Sequence, residues 1–123
     1  MASRPFRVPL NVTLSANGQD TLTHNVGLNE KYTVQSMYQK TADTTDITDM
    51  SDSYGRKFGT MTPANPMDIN VICDLASDNN VDPRLPTPMV LESNTSLYIT
   101  VKDSSGNGGA VQIVLEGVLD SPN

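Results

Sequence analysis

His24 and Cys73 each occur once in the chain, and by type they are the residues best suited to nucleophilic chemistry. A thiol nucleophile needs a base beside it. Both residues fall on the apolar parity of their segments, where an imidazole and a thiol are ordinary core side chains. No serine finds a second histidine to activate it, and zinc would lack ligands. Asp43, Asp46, Asp49 and Asp52 recur at every third position, and clustered carboxylate oxygens suit hard cations such as calcium. The spacing lacks the alternate-residue ligands and closing glutamate of a calcium loop, so a solvated acidic loop or a docking surface for something basic fits better. No catalytic residue, cofactor or metal is assigned.

Binding chemistry has more material. The rings are Phe6, Tyr32, Tyr38, Tyr54, Phe58 and Tyr98. A sugar platform stacks an apolar CH face on an exposed ring, and Tyr54 and Phe58 lie in a long loop from which they can reach a ligand. The duller reading is that they pin the loop onto the core. The N-terminal segment 1–9 carries Arg4 and Arg7 on an otherwise acidic chain, with Phe6 between them and prolines at 5 and 9. It reads as an extended arm suited to lying on an acidic neighbour. The partner-binding candidates are therefore Arg4, Phe6, Arg7, Tyr54 and Phe58.

The elements that position these residues have period 2 almost throughout. Val8, Leu10, Val12 and Leu14 alternate with polar residues or proline, and Leu22 and Val26 keep the even parity around His24 in a second strand over 20–26. A three-residue Ala16-Asn17-Gly18 loop pairs 12 with 22 and 8 with 26, which keeps every apolar side chain on one face, with Gly18 at a positive φ. Tyr32, Val34 and Tyr38 mark a third strand over 31–39. The stretch 41–66 loses the pattern and reads as a long loop, with room for short strands near 45–50 and 56–61. Ile69, Val71, Cys73 and Leu75 alternate again, and a proline-rich loop runs from Ser77 to Pro88. Met89–Leu91 is a short apolar run. Leu97, Ile99 and Val101, the turn 104–109, and Val111, Ile113 and Leu115 form a last hairpin. Apolar residues at helical spacing are missing, so the chain is predicted to be all-β. Seven or eight short strands, with long loops at 41–66 and 77–88, make an antiparallel β-sandwich or jelly roll. The domain spans 10–119, leaving 120–123 as a tail.

Composition agrees. One domain is the expectation for 123 residues, and a chain of that length can build a core without disulfides or metal. Eight basic against fourteen acidic residues leave a net charge of −6, which disfavours nucleic acid and anionic membrane as partners. No apolar run is long enough to span a bilayer as a helix, and the prolines near the N-terminus break any signal-peptide core. The acceptor patterns Asn11-Val12-Thr13 and Asn94-Thr95-Ser96 occur no more often than chance supplies in a chain this rich in Asn, Ser and Thr.

Two stretches resemble a known class. Gln19-Asp20-Thr21-Leu22-Thr23-His24-Asn25-Val26 followed by Glu30-Lys31-Tyr32-Thr33-Val34 is one. Leu91-Glu92-Ser93-Asn94-Thr95-Ser96-Leu97-Tyr98-Ile99-Thr100-Val101 followed by Val111-Gln112-Ile113-Val114-Leu115-Glu116-Gly117 is the other. Together they are similar to the small jelly-roll or β-sandwich proteins that decorate or cement the heads of tailed bacteriophages. The resemblance implies a non-enzymatic virion protein on the outer surface of the capsid, arranged as a homotrimer and bridging subunits of the major capsid protein. Its bridging elements would be the arm and the loops at 41–66 and 77–88. The rival expectation is a glycan- or receptor-binding module of a tail or surface appendage. A secreted adhesion domain ranks third.

Overall fold

Alternation fixes which side of each strand turns inward, and in the computed structural model the inward sides meet in one core. The structure describes residues 2–41, 44–69, 74–75 and 84–121. Its strands are β1 (Ala2–Leu14), β2 (Gln19–Asn25), β3 (Lys31–Thr41), β4 (Thr45–Asp52), β5 (Met67–Asp68), β6 (Asp74–Leu75), β7 (Arg84–Leu91), β8 (Ser96–Asp103) and β9 (Gly109–Ser121). The first sheet has the order β1-β9-β3, and β7 and β6 take successive lengths of the far edge of β3. The second has the order β2-β8-β4-β5. Every pairing is antiparallel except the short β3–β6 contact. The chain is an all-β sandwich. Tyr32, Ile47, Leu97, Ile99, Ile113 and Leu115, from both sheets, are fully buried between them.

The pairing is nested. β1 pairs with β9, β2 with β8, β3 with β7 and β4 with β5. Neither predicted hairpin therefore forms. The turn Ser15–Gly18 carries the chain from β1 in the first sheet to β2 in the second, and the 104–108 turn carries β8 back to β9. The inner faces of two packed sheets share one core, so apolar parity is the same whether the chain turns back or crosses over. The left-handed residue of the first turn is Asn17 (φ 57°), not Gly18.

Residues 2–9 are not a free arm. β1 pairs with β9 from Ala2↔Ser121 to Leu14↔Gly109 without a break, so the sandwich extends past 10–119 at both ends. The predicted loop at 77–88 is shorter on its far side, because β7 begins at Arg84 and includes Pro86 and Pro88. Proline fits there because β7 lies at the sheet's margin, where a missing N–H is tolerated. β4 occupies the place of the short strand predicted near 45–50. The alternating segment through Val71 and Cys73 lies outside the described residues, apart from Ile69, which is buried, and β6.

Two β-bulges shift the parity. One lies between Val34 and Ser36 on β3 and the other between Ile47 and Asp49 on β4. Before the first, Tyr32 and Val34 turn inward; after it, Met37 and Gln39 do. Tyr38, which the simple pattern counted with the core, consequently sits half-buried on the outer side. Opposite this bulge lies Gly117 on β9, where an added Cβ would stand 1.8 Å from the Thr33 carbonyl oxygen and 3.0 Å from Val34 Cα. Only glycine permits that backbone approach.

One carboxylate ties the two crossings at the same end. Asp103, buried at the end of β8, accepts the backbone N–H groups of Asn17 (2.9 Å), Ser105 (3.0 Å), Gly106 (3.1 Å) and Gly108 (2.8 Å), and the Ser105 hydroxyl (2.6 Å). Its own N–H donates to the Gly18 carbonyl at 2.9 Å. The Ser105 hydroxyl, then the N–H of Asn17 and those of its own turn, hold its carboxyl well below the usual carboxylate range against the opposing effect of burial.

Two outcomes follow. Gly117→Ala should lower unfolding free energy by about 1–3 kcal/mol in a urea titration, as an overpacked site does. Asp103→Asn should lower Tm at pH 7. In the parent, the carboxylate's contribution is complete above the unfolded value near about 4 and fades as pH falls toward the depressed folded value. Its thermal stability should therefore fall more steeply with acid than that of the Asn variant, as read by melts across that range.

Candidate interaction surface

The strand geometry separates the candidates at the N-terminus. Even positions of β1 point toward the core side and odd positions away from it. Arg4 and Phe6 share the first direction, with the guanidinium 5.5 Å from the ring centroid. Phe6 is half-buried and meets Tyr32 edge-on at 5.7 Å, while the Tyr32 hydroxyl donates to the Phe6 carbonyl at 2.9 Å. Arg7 lies on the outer face and forms an ion pair with Glu116 at 2.7 Å. The three residues therefore do not make one basic surface.

His24 is a packing residue on this side of the core. It is half-buried, 5.7 Å from the Tyr32 ring, and burial lowers its pKa while Glu30 pulls the other way. Cys73 lies outside the described residues.

The acidic run disperses because β4 is bulged. Asp43 lies outside the described residues. Asp46 stands opposite Asp68 on β5; burial raises its pKa first, and Asp68 adds to this against the opposing charge of Lys102. Asp49 accepts from Lys57 (2.7 Å) and the Ser51 hydroxyl (2.8 Å). Asp52 is buried and accepts the N–H groups of Tyr54 (3.0 Å) and Arg56 (2.9 Å) and the Arg56 guanidinium. Burial pushes Asp52 up, but Arg56 and these backbone donors outweigh it and hold the carboxyl low. Among the described residues no group of three His, Cys, Asp or Glu side chains stands where it can hold a metal.

Asp52 thereby shapes the turn that presents Tyr54. Gly55 takes φ 86° and its N–H returns to the Asp52 carbonyl. Tyr54 is 67% exposed. Phe58 is not its companion. It packs partly buried against the core, with its N–H on the Met50 carbonyl at 2.8 Å and Arg56 6.0 Å from its ring. The expected pair of rings thus divides into one anchor and one exposed side chain.

A second exposed apolar residue, Leu28, is 73% exposed and was not among the candidates. It sits in the 26–30 crossing, closed by Glu30, whose carboxylate accepts the Gly27 N–H at 3.0 Å, and by Asn29 at φ 63°. This crossing is bonded to the 92–96 crossing through Asn94 N–H to the Gly27 carbonyl and Val26 N–H to the Thr95 carbonyl. The latter is bonded to the Tyr54 turn through Ser53 N–H to the Ser96 carbonyl. Leu28 and Tyr54 thus project from one end of the sandwich, on loops laced together by backbone bonds. The start of β1, with Arg4, lies at the same end because Ala2 pairs with Ser121 and Lys31 with Asp120. A sequence signal for Leu28 existed, since it is a lone apolar residue inside the turn Gly27–Asn29.

Comparison of the chain with known family models, curated proteins and solved structures yields no match.

The contrast between the two loop rings is measurable. Phe58→Ala should lower unfolding free energy in urea by about 1–3 kcal/mol, less than a fully buried phenylalanine would. Tyr54→Ala should leave it within about 0.5 kcal/mol of the parent.

Proposed function

We propose that the chain is a non-enzymatic structural protein of a virion. It decorates the outer surface of a capsid and stabilises the shell by bridging neighbouring subunits of the major capsid protein. The observation that carries this reading is the pair Leu28 and Tyr54. Two large apolar side chains are held in water at one end of the sandwich by loops whose conformations are already fixed. Preorganised anchors of this kind lose little freedom on docking, and tyrosine is a frequent hot-spot residue.

Further support comes from the fold and the charge. The nested strand order is compatible with a jelly roll, an architecture common in capsid proteins, although fold alone does not define function. A net charge of −6 suits the outside of a shell better than contact with packaged nucleic acid. Many weak bridges repeated over a shell add up through multivalency. The rival, a glycan- or receptor-binding module, called on Tyr54 and Phe58 as a platform. Phe58 packs against the core, which leaves that platform with one ring.

Sedimentation of a lysate of the source tests the proposal. The parent chain should travel in many copies with a megadalton particle. Folded Leu28→Ser and Tyr54→Ala proteins should each bind stripped particles about tenfold or more weakly. Parent protein found only as free chains or small oligomers would overturn the reading.

A further inference from the structure

The outer faces of the two sheets differ in chemistry. On the second sheet the outward rows are polar and charged, with Thr21 and Thr23 of β2 beside Thr100 and Tyr98 of β8, and Asp46 of β4 between Lys102 and Asp68. On the first sheet two rows are apolar. Pro5 stands opposite Val118, which continues through Thr33 to Val90 on β7. Pro9 stands opposite Val114, which stands opposite Tyr38. Between these rows lies the Arg7–Glu116 ion pair, so the centre of the face combines tyrosine, arginine and branched aliphatic side chains. That mixture is typical of the core of a protein interface.

Charge singles out the same face. Among the described side chains, those ionised on this face are Arg7, Lys31 and Lys40 against Glu116 and Asp120, close to balance. The second sheet carries Asp46, Asp49 and Asp68, so two copies meet less repulsion between their described charges at the first sheet than they would there. The area also suffices. Five rows about 7 Å apart across β1, β9 and β3, which lie about 4.8 Å apart, present on the order of 500 Å² per copy, or about 1,000 Å² for two. That is the lower bound for a specific, reversible interface.

We propose that the outer face of the first sheet binds the same face of a second copy, related by a two-fold axis, with the sheets packed face to face. A single self-complementary patch gives a two-fold pair, whereas a trimer needs two different patches that fit one another. The described residues offer this one apolar sheet face, so the basic unit is a dimer in place of the trimer that the resemblance implied. The pairing is independent of the shell-bridging reading: it is measured on purified protein, and the other on particles.

Sedimentation velocity from low micromolar to millimolar concentration tests it. The parent should pass from the 13.3 kDa single chain to twice that mass. Val114→Lys and Val118→Lys should each stay at the single-chain mass, and Thr23→Lys on the opposite face should dimerise like the parent. A parent that remains a single chain throughout, a three-chain limit, or a folded Val114→Lys protein that still doubles in mass would overturn the proposal. Methyl NMR of the unmodified protein decides the matter if the lysine variants fail to fold. Resonances of Val90, Val114 and Val118 should move with concentration while those of Thr21 and Thr23 stay fixed; the reverse pattern would overturn the proposal.

Discussion

The Asp103 carboxylate holds the fold at its most demanding point. Two chain crossings between the sheets lie side by side at that end, and both arrive with backbone N–H groups that no strand can satisfy. A single buried anion gathers donors from each, at 2.8–3.1 Å from the backbone. A buried carboxylate without such partners would be strongly disfavoured, and the N–H groups without it would be left unpaired. The arrangement also fixes where β1 ends and β9 begins, and therefore sets the register of the long β1–β9 ladder. The opposite end uses a different device: neighbouring crossings are stitched by backbone bonds, helped by Ser93, whose hydroxyl donates to the Glu30 carbonyl.

Much of the secondary structure could be read directly from alternation, because most strands have one face in the core and one in water. Leu10 and Leu14, Leu22 and Val26, and Leu97, Ile99 and Val101 all lie where period 2 places them. Strand pairing was not legible in the same way, since parity records only inside and outside. The bulges on β3 and β4 were hidden because each inserts one residue whose type, Gln35 or Thr48, gives no warning. They moved Tyr38 to the surface and broke up the row of aspartates. Phe58 and Tyr54, alike in sequence context, were separated by the local geometry that Asp52 imposes through Arg56. β9 carried a cue that was easy to pass over: Val114 and Val118 interrupt its polar parity, marking an outer face that is not wholly solvated.

The molecule consequently has three surfaces of different character. One sheet turns hydroxyls, amides and charged side chains to water, the other a mixed apolar face, and one end carries two exposed apolar side chains on bonded loops. Among the described residues, three of the candidate groups are engaged in the structure. Asp49 and Asp52 are occupied by Lys57 and Arg56, and His24 packs on Tyr32.

The nested pairing also bears on how the chain reaches this state. Closing the β1–β9 ladder first would tie together nearly the whole polypeptide as one loop, at a large entropic cost. Each inner pair shortens the loop that the next must close, so the economical order runs outward from β4–β5 through β3–β7 and β2–β8, with the two chain ends zipping up last. Contacts so distant in sequence make for slow folding. Until the last step, β9 is a long apolar strand with an open edge. Pro5 and Pro9, which cannot donate to another strand, leave β1 as the edge once that step is complete, and so blunt the finished sheet against further growth.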